Sequence, residues 1–517
     1  MVGALVPRAA ASPLTIGYGD HAYTDYEPTA DNQQSKLWFH DGRWWGLLSR
    51  QSGSGDGEVT IHRLELATQR WVDTSVVVDG RKNASVDALS DGNQLYIASS
   101  RGTSKETRNR KVRVSSYTYD PMAKTYALNP GFPVDIADGE VEAIVIDRDA
   151  TGTLWATFVR AGRVMVTHTT RSALDWVAPY ALPVGGASTV RSGPKADQSA
   201  LVRFGGNHIG ILFSSQVAGL DRGVLYWATH RDGTGDRAWT LTKVLSGEKL
   251  RHINVKAVPS DPAALVLAAV KTSPRNGSRG LVVVLRLRGD GTWTSHPFSA
   301  PTDDHARPVV QVDADNRKVY VLASSPCCQT EAIYLKVASL DALAFTSGSG
   351  GRFIQGAANA TITNPTGTKQ TVGNSTGLVA VGADNAADIY VHNYAAVAHL
   401  TSGVPQVGSA PSTGAQAAGA AGSRPTSASP QVLSGTFTSP KVLPARESSN
   451  VEPVSTLPRT SQPGASYFGW FGRFMAFTGA DVLTLTMAAA GALIGGTVAL
   501  LAARRRRRTH ALSEPVS

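Results

Sequence analysis

KLWFHDGRWWGLL, from Lys36 to Leu48, is a short apolar strand, an Asp-Gly turn and a second strand carrying aromatics. The phrase recurs. VDALSDGNQLYIA starts at Val86, EAIVIDRDATGTLWATF at Glu142 and ALVRFGGNHIGILF at Ala200. VKAVPSDPAALVLAAV from Val255, VVQVDADNRKVYVLA from Val309 and LVAVGADNAADIYVHN from Leu378 complete the series. After each turn the aligned position holds Trp45, Tyr96, Trp155, Gly210, Val266, Tyr320 and Tyr390. A second marker, an aromatic opening the return strand of a later hairpin, falls at Trp71, Tyr126, Trp176, Trp239, Trp293 and Phe345. Both markers keep a period of about 55 residues, the length of a four-stranded propeller blade.

Such a blade cannot bury both faces alone, so blades stack in a ring until the last meets the first. The reading is therefore all-β: a β-propeller of about seven four-stranded blades over residues 13–400, with six blades and an extra hairpin as the alternative. Six units are complete. The seventh shows only two strands, 377–394, read as its first two, so the N-terminal stretch around Pro13–Tyr18 is expected to add a strand and close the ring.

Composition fits this: 51 glycines and 27 prolines in 517 residues suit many short strands joined by turns. Half of the formal net charge of +10 is the run Arg504 to Arg508, which removes most of the case for nucleic-acid binding. The two cysteines, Cys327 and Cys328, are adjacent. That excludes a disulfide framework and a zinc site built on separated cysteine pairs; they read as small thiols in a loop, with a strained vicinal disulfide as the alternative.

After residue 400 the chain changes character. Residues 401–464 are mostly Ser, Thr, Ala, Gly, Pro, Gln and Val, a composition too poor in apolar side chains to offset ordering entropy, and they read as a stalk. As a coil it would span roughly 40–45 Å. The aromatic segment 465–481 suits a membrane interface, and Val482–Ala503 is uncharged and long enough to cross a bilayer. The basic tail 504–517 places the C-terminus in the cytoplasm and the propeller outside. Gly491 and Gly495 make a small-xxx-small pair that suits helix dimerisation. Leu457-Pro458-Arg459-Thr460-Ser461 resembles a sortase sorting signal, with Ser461 where cleavage wants glycine, so wall sorting stands second to plain anchoring. Residues 1–12 read as the remnant of an export signal, with Ala9-Ala10-Ala11-Ser12 as the cleavage region.

In a propeller the inner strands converge on a central channel, and residues two apart share a face. Reading the starts of those strands gives Gln34 and Lys36, Ser85 and Asp87, Glu140 and Glu142, Asp197 and Ser199, His252, Asn254 and Lys256, then Asp303, His305 and Arg307. These polar residues either form a ligand site or a wet ring that latches neighbouring blades. If the protein were an enzyme, Glu140 and Glu142 would serve as acid and base. His252, Lys256, Lys271, His305 and Arg307 would then hold an anionic sugar or neutralise a uronate; Lys36, Asp87, Asp197 and Asn254 complete the ligand set. Asp147, Asp149, Asp313 and Asp315 lie in turns, where they would either bind structural calcium or, more commonly, fix backbone amides. No other cofactor is expected, since neither a phosphate-cradling Gly-rich loop nor a His-Glu-x-x-His helix is present.

The blades resemble those of bacterial extracellular sialidase-like propellers, carried by Asp303-Asp304-His305-Ala306-Arg307-Pro308, His252-Ile253-Asn254-Val255-Lys256 and Ala269-Val270-Lys271-Thr272-Ser273. The resemblance spans most of residues 30–394 and implies a propeller fold. The Ser-x-Asp-x-Gly-x-Thr-Trp box of sialidases is not matched, and no arginine triad with a nucleophilic tyrosine can be assigned. A surface-anchored recognition module for a glycan or protein is thus the first expectation. A glycoside hydrolase or polysaccharide lyase is the second, and a structural envelope protein the third.

Overall fold

A computed structural model describes residues 11–51, 57–101, 109–191, 198–216, 223–259, 261, 264–273, 281–326 and 331–400. The proposed export remnant before residue 11, Asp197, the Cys327–Cys328 pair, the stalk, the sorting-like motif, the apolar span and Gly491 and Gly495 lie outside them. No helix among the described residues is long and apolar enough to cross a membrane.

The strands form seven antiparallel blades around a channel. Blade I runs from Leu37–His40 to Arg70–Asp79, blade II from Ala84–Asp91 to Thr125–Leu128 and blade III from Ile144–Arg148 to Tyr180–Ala181. Blade VI runs from Ala306–Asp313 to Gly351–Gln355. Blades IV and V share one strand, Trp239–Ala257, which pairs with Gly223–Arg231 along its first half and with Val266–Ser273 along its second. Blade VII combines Ile362–Thr366, Leu378–Asp384 and Ile389–Ala395 with Tyr18–Ala22 from the other end of the chain.

The seventh blade corrects the sequence reading by one strand. Residues 378–395 are its second and third strands; its inner strand is Ile362–Thr366, which packs across the inner strand of blade VI. The Asn364-Pro365 pair reads locally as a turn and hid this strand. The N-terminal strand does close the ring: Tyr18 pairs with His392 and Gly19 with Val391, and Ser12–Pro13 pairs along its outer edge. The second marker also needs adjustment, because Trp176 and Phe345 precede their outer strands rather than opening them.

The two markers share a period because they meet between blades. Trp45 of blade I lies 5.1 Å from Tyr126 of blade II, centroid to centroid, and Trp155 of blade III lies 5.9 Å from Trp239 of blade IV. Blade IV carries Gly210 at the first marker because Trp227 occupies that space; a Cβ on Gly210 would come within 2.1 Å of the indole. Trp227 then packs 5.4 Å from Trp293 of blade V. A side chain fully buried in such a seam contributes roughly 1.5–3 kcal/mol, so the seams between blades add substantially to stability.

Candidate functional site

The chain enters the channel directly after the closing strand. From Asn32 to Lys36 it is buried and hydrogen-bonded to four blades. Asn32 Nδ2 donates to the Arg307 carbonyl at 3.1 Å, and its own carbonyl accepts from Asn254 Nδ2 at 2.5 Å. Gln34 Nε2 donates to the Ile144 carbonyl, Ser35 N–H to Asp87 Oδ1, and Lys256 Nζ to Ser35 Oγ. This connector separates the end where the inner strands begin, the entry face, from the end where they finish, the exit face.

The connector occupies several residues singled out from sequence. Asp87 is fully buried and accepts from Ser35 N, Ile146 N and Lys369 Nζ, the last at 2.6 Å. Asn254 links Asn32 to the Val310 amide. Lys36 donates to Gln34 Oε1 at 2.9 Å and to the Val86 carbonyl at 3.1 Å, and burial holds its ammonium below the usual lysine range. Lys256 belongs to the same inner ring but borders the exit-face cavity. In these positions the residues latch blades to the connector. His305 is turned away from the channel: its ring packs 5.0 Å from Phe298 and 6.0 Å from Tyr334, Nε2–H donates to the Ser349 carbonyl, and burial lowers its pKa to about 4.

Glu140 and Glu142 do gather at the entry face. Glu140 is exposed and sits 3.4 Å from Arg110, while Glu142 is partly buried. Burial first, then the negative charges of Asp31 and Glu140, push Glu142 up to about 8, so it holds a proton at neutral pH. Asp31 is also raised by burial and accepts from Ser85 Oγ at 2.5 Å.

Across the mouth, three consecutive blades carry the same device. His252, Arg307 and Asn364 have φ of +50°, +55° and +54°, each at an inner-strand bulge. A non-glycine residue held there costs about 1–3 kcal/mol and persists only where its surroundings impose it. The three are about 55 residues apart, one blade repeat. Arg307 Nη1 donates to Thr363 Oγ1 at 2.6 Å and Nη2 lies 3.6 Å from Glu27, to which Asn364 Nδ2 also donates at 3.4 Å. His252 is pushed down to about 3 by burial and by the positive charges of Arg307, Lys271 and Arg251. Asn364 Oδ1 is buried with no hydrogen-bond partner. The Tyr26 ring, 79% exposed, stands beside this group, close enough for Glu27 to raise its phenol pKa.

Tyr26, Glu27, Asp31, Asn364 and Lys369 were not found from sequence. The first three lie in a run that reads as loop, and nothing local marks them. The only signal was the repeat itself, which places Asn364 one blade after Arg307. The turn aspartates do fix backbone. Asp149 accepts from the Thr151 and Thr153 amides and from Trp155 Nε1, and Asp313 from the Asn316 amide and the Tyr320 hydroxyl. Among the described residues no group of three or more His, Cys, Asp or Glu is placed to hold a metal ion.

Fold and mouth together define a seven-bladed β-propeller whose strained, charged residues collect at one end of the channel. No family model and no curated protein matches the sequence. Among solved structures the fold is similar to a polysaccharide lyase of family PL25, an ulvan lyase bound to -[GlcA(1-4)Rha3S]-, with a TM-score of 0.51 at 10% identity over 74% of this chain and 96% of that one. The α-L-arabinanase of Penicillium chrysogenum aligns with a TM-score of 0.42 at 11% identity, covering 64% and 99%. A variant of the NanB sialidase of Streptococcus pneumoniae aligns with 0.36 at 8%, covering 60% and 68%. These likenesses concern the fold.

Proposed function

We propose that this protein is a cell-surface propeller that recognises an acidic glycan across its entry face. The observation that carries the reading is the trio His252, Arg307 and Asn364, three left-handed residues repeated blade by blade around one mouth. Backbone strain of this kind concentrates where side chains must be aimed at a ligand. Arg307, Lys271 and Arg251 make the His252 side of the mouth electropositive, which suits a carboxylate or sulfate, and exposed Tyr26 offers a face for a sugar ring. The fold it shares with a glycan-bound lyase supports a sugar chain over other anions. Display at the surface is supported by the apolar Val482–Ala503 span and the arginines after it.

A second reading, cleavage of the same glycan, is favoured by one pair of states. Near pH 7 Glu142 carries a proton it can donate and His252 a lone pair that can accept one. The deciding experiment is a glycan array with the purified protein, followed by mass spectrometry of every bound sugar. Intact acidic glycans retained by the wild type, with at least tenfold weaker binding by Arg307→Gln, support recognition. Unsaturated or hydrolysed products establish the second reading. Retention unaffected by both Arg307→Gln and Asn364→Ala removes the entry face from consideration.

A further inference from the structure

The opposite end of the channel holds a buried lysine that, among the described residues, touches no carboxylate. Lys256 is 3% exposed, its ammonium donates to Ser35 Oγ at 2.8 Å, and among the described residues no carboxylate lies within ion-pair distance of it. Its neighbour Lys369 is different, being paired with Asp87 at 2.6 Å. A buried ammonium with no carboxylate in direct contact is expensive, and a bound anion would offset that cost.

The space for that partner is present. Lys256 and Lys369 line a cavity of about 210 Å³ beneath the connector, together with Ser35, Gln370, Arg203 and one acid, Asp147, whose carboxylate is engaged by the Arg148 and Arg203 amides. It opens where the inner strands end. Arg203 also borders the two adjoining clefts, one along Asp149–Gly152 and one along Val258–Pro259. Its guanidinium is exposed and has no hydrogen-bond or ion-pair partner among the described residues. Two cations from different blades thus face one opening, one buried and one at the rim. Burial first, then repulsion by Lys369, bring the Lys256 pKa down to about 7 against the opposing attraction of Asp87 and Asp147.

We propose that the exit face is a second ligand site, which takes a small oxyanion, a carboxylate or a sulfate, on a molecule no larger than a monosaccharide. The anion sits against Lys256 and is met at the rim by Arg203. The connector lies between this site and the entry face, so the two fill independently.

Isothermal titration of the full chain with sodium sulfate and with glucuronate, from pH 6 to 9, tests this. Wild-type protein is expected to bind at least one of the two, more weakly by about tenfold per pH unit above 7 as Lys256 loses its proton. Lys256→Met is expected to abolish the binding while remaining folded by circular dichroism, and Arg203→Gln to weaken it several-fold. Arg307→Gln at the entry face should leave the titration unchanged, which separates this site from the glycan reading. Sulfate binding alone marks a free-ion site, and glucuronate binding an acid-sugar site. The proposal is overturned if neither anion binds, if affinity is flat with pH, or if Lys256→Met binds as wild type does. Should Lys256→Met fail to fold, unchanged affinity in Arg203→Gln together with a flat pH profile overturns it equally.

Discussion

Two joints in this ring are made in opposite ways. Between blades IV and V the chain runs without interruption through Trp239–Ala257, the outer strand of one blade becoming the inner strand of the next. Within blade VII nothing covalent holds the outer strand to the sheet: Tyr18–Ala22 pairs with Ile389–Ala395 from the other end of the ring, and the chain continues from there through the channel into blade I. The first joint is secured by connectivity, the second by side chains. That second seam holds three histidines. His21 stacks on His62 at 4.8 Å with ring planes 3° apart, and buried His392 packs 5.7 Å from Tyr18 and 6.0 Å from Trp71, both its nitrogens lacking a partner. Asp20 ties the seam together, accepting from the Trp71 amide at 3.0 Å and pairing with His21 at 2.9 Å. The comparison teaches that the seam is where this propeller can be opened.

Three experiments press on that difference. Removing residues 11–22 takes away the closing strand and leaves blade VII with an unpaired edge. The expected result is loss of the cooperative thermal transition, followed by circular dichroism; a truncated chain melting near the wild-type temperature would show that the connector alone closes the ring. Asp87→Ala attacks the connector instead. It leaves the partly buried Lys369 without its carboxylate and the buried Ser35 and Ile146 amides without their acceptor, at a cost of about 3 kcal/mol in urea unfolding. A loss below 1 kcal/mol would mean that the outer strand carries the closure.

The third concerns acid. Burial, opposed by the pull of Asp20 and aided by the repulsion of Arg70 and His21, pushes the His392 pKa down to about 4, and burial pushes that of His62 to about 3. Both rings are neutral in the folded seam. The unfolded chain takes up their protons as pH falls below about 6.5, so stability is complete above that value and declines down to about pH 4. His392→Phe should remove on the order of 3 kcal/mol of this decline, read as a smaller difference in unfolding free energy between pH 7 and pH 4. An unchanged difference would place the acid sensitivity elsewhere in the ring.

How much of this could be read beforehand depends on range. Blades I to VI were legible because each repeats a local event: a strand, a tight turn, and aromatics that meet the next blade. The inner strand of blade VII was not, since Asn364-Pro365 resembles a turn and is accommodated by a bulge against Leu378–Asp384, a pairing that no local pattern announces. The same limit applies to the mouth. Glu142, His252 and Arg307 were found because strand starts point at the channel. Asp87 and Asn254 were found too, yet their roles depend on a connector far away in sequence, Asn254 meeting Asn32 across 222 positions. Tyr26 and Asp31 had no periodic context at all.

The closing strand has a kinetic meaning as well. Tyr18–Ala22 is made about 370 residues before its partner Ile389–Ala395, the last strand before residue 400. Throughout synthesis the early segment has nowhere to pair, and six blades must gather before it does. Such high contact order delays completion and leaves one sheet edge open until the end. The molecule therefore has a built-in checkpoint: a chain interrupted anywhere before residue 389 cannot complete its ring, and its unsatisfied edge remains available to chaperones and proteases.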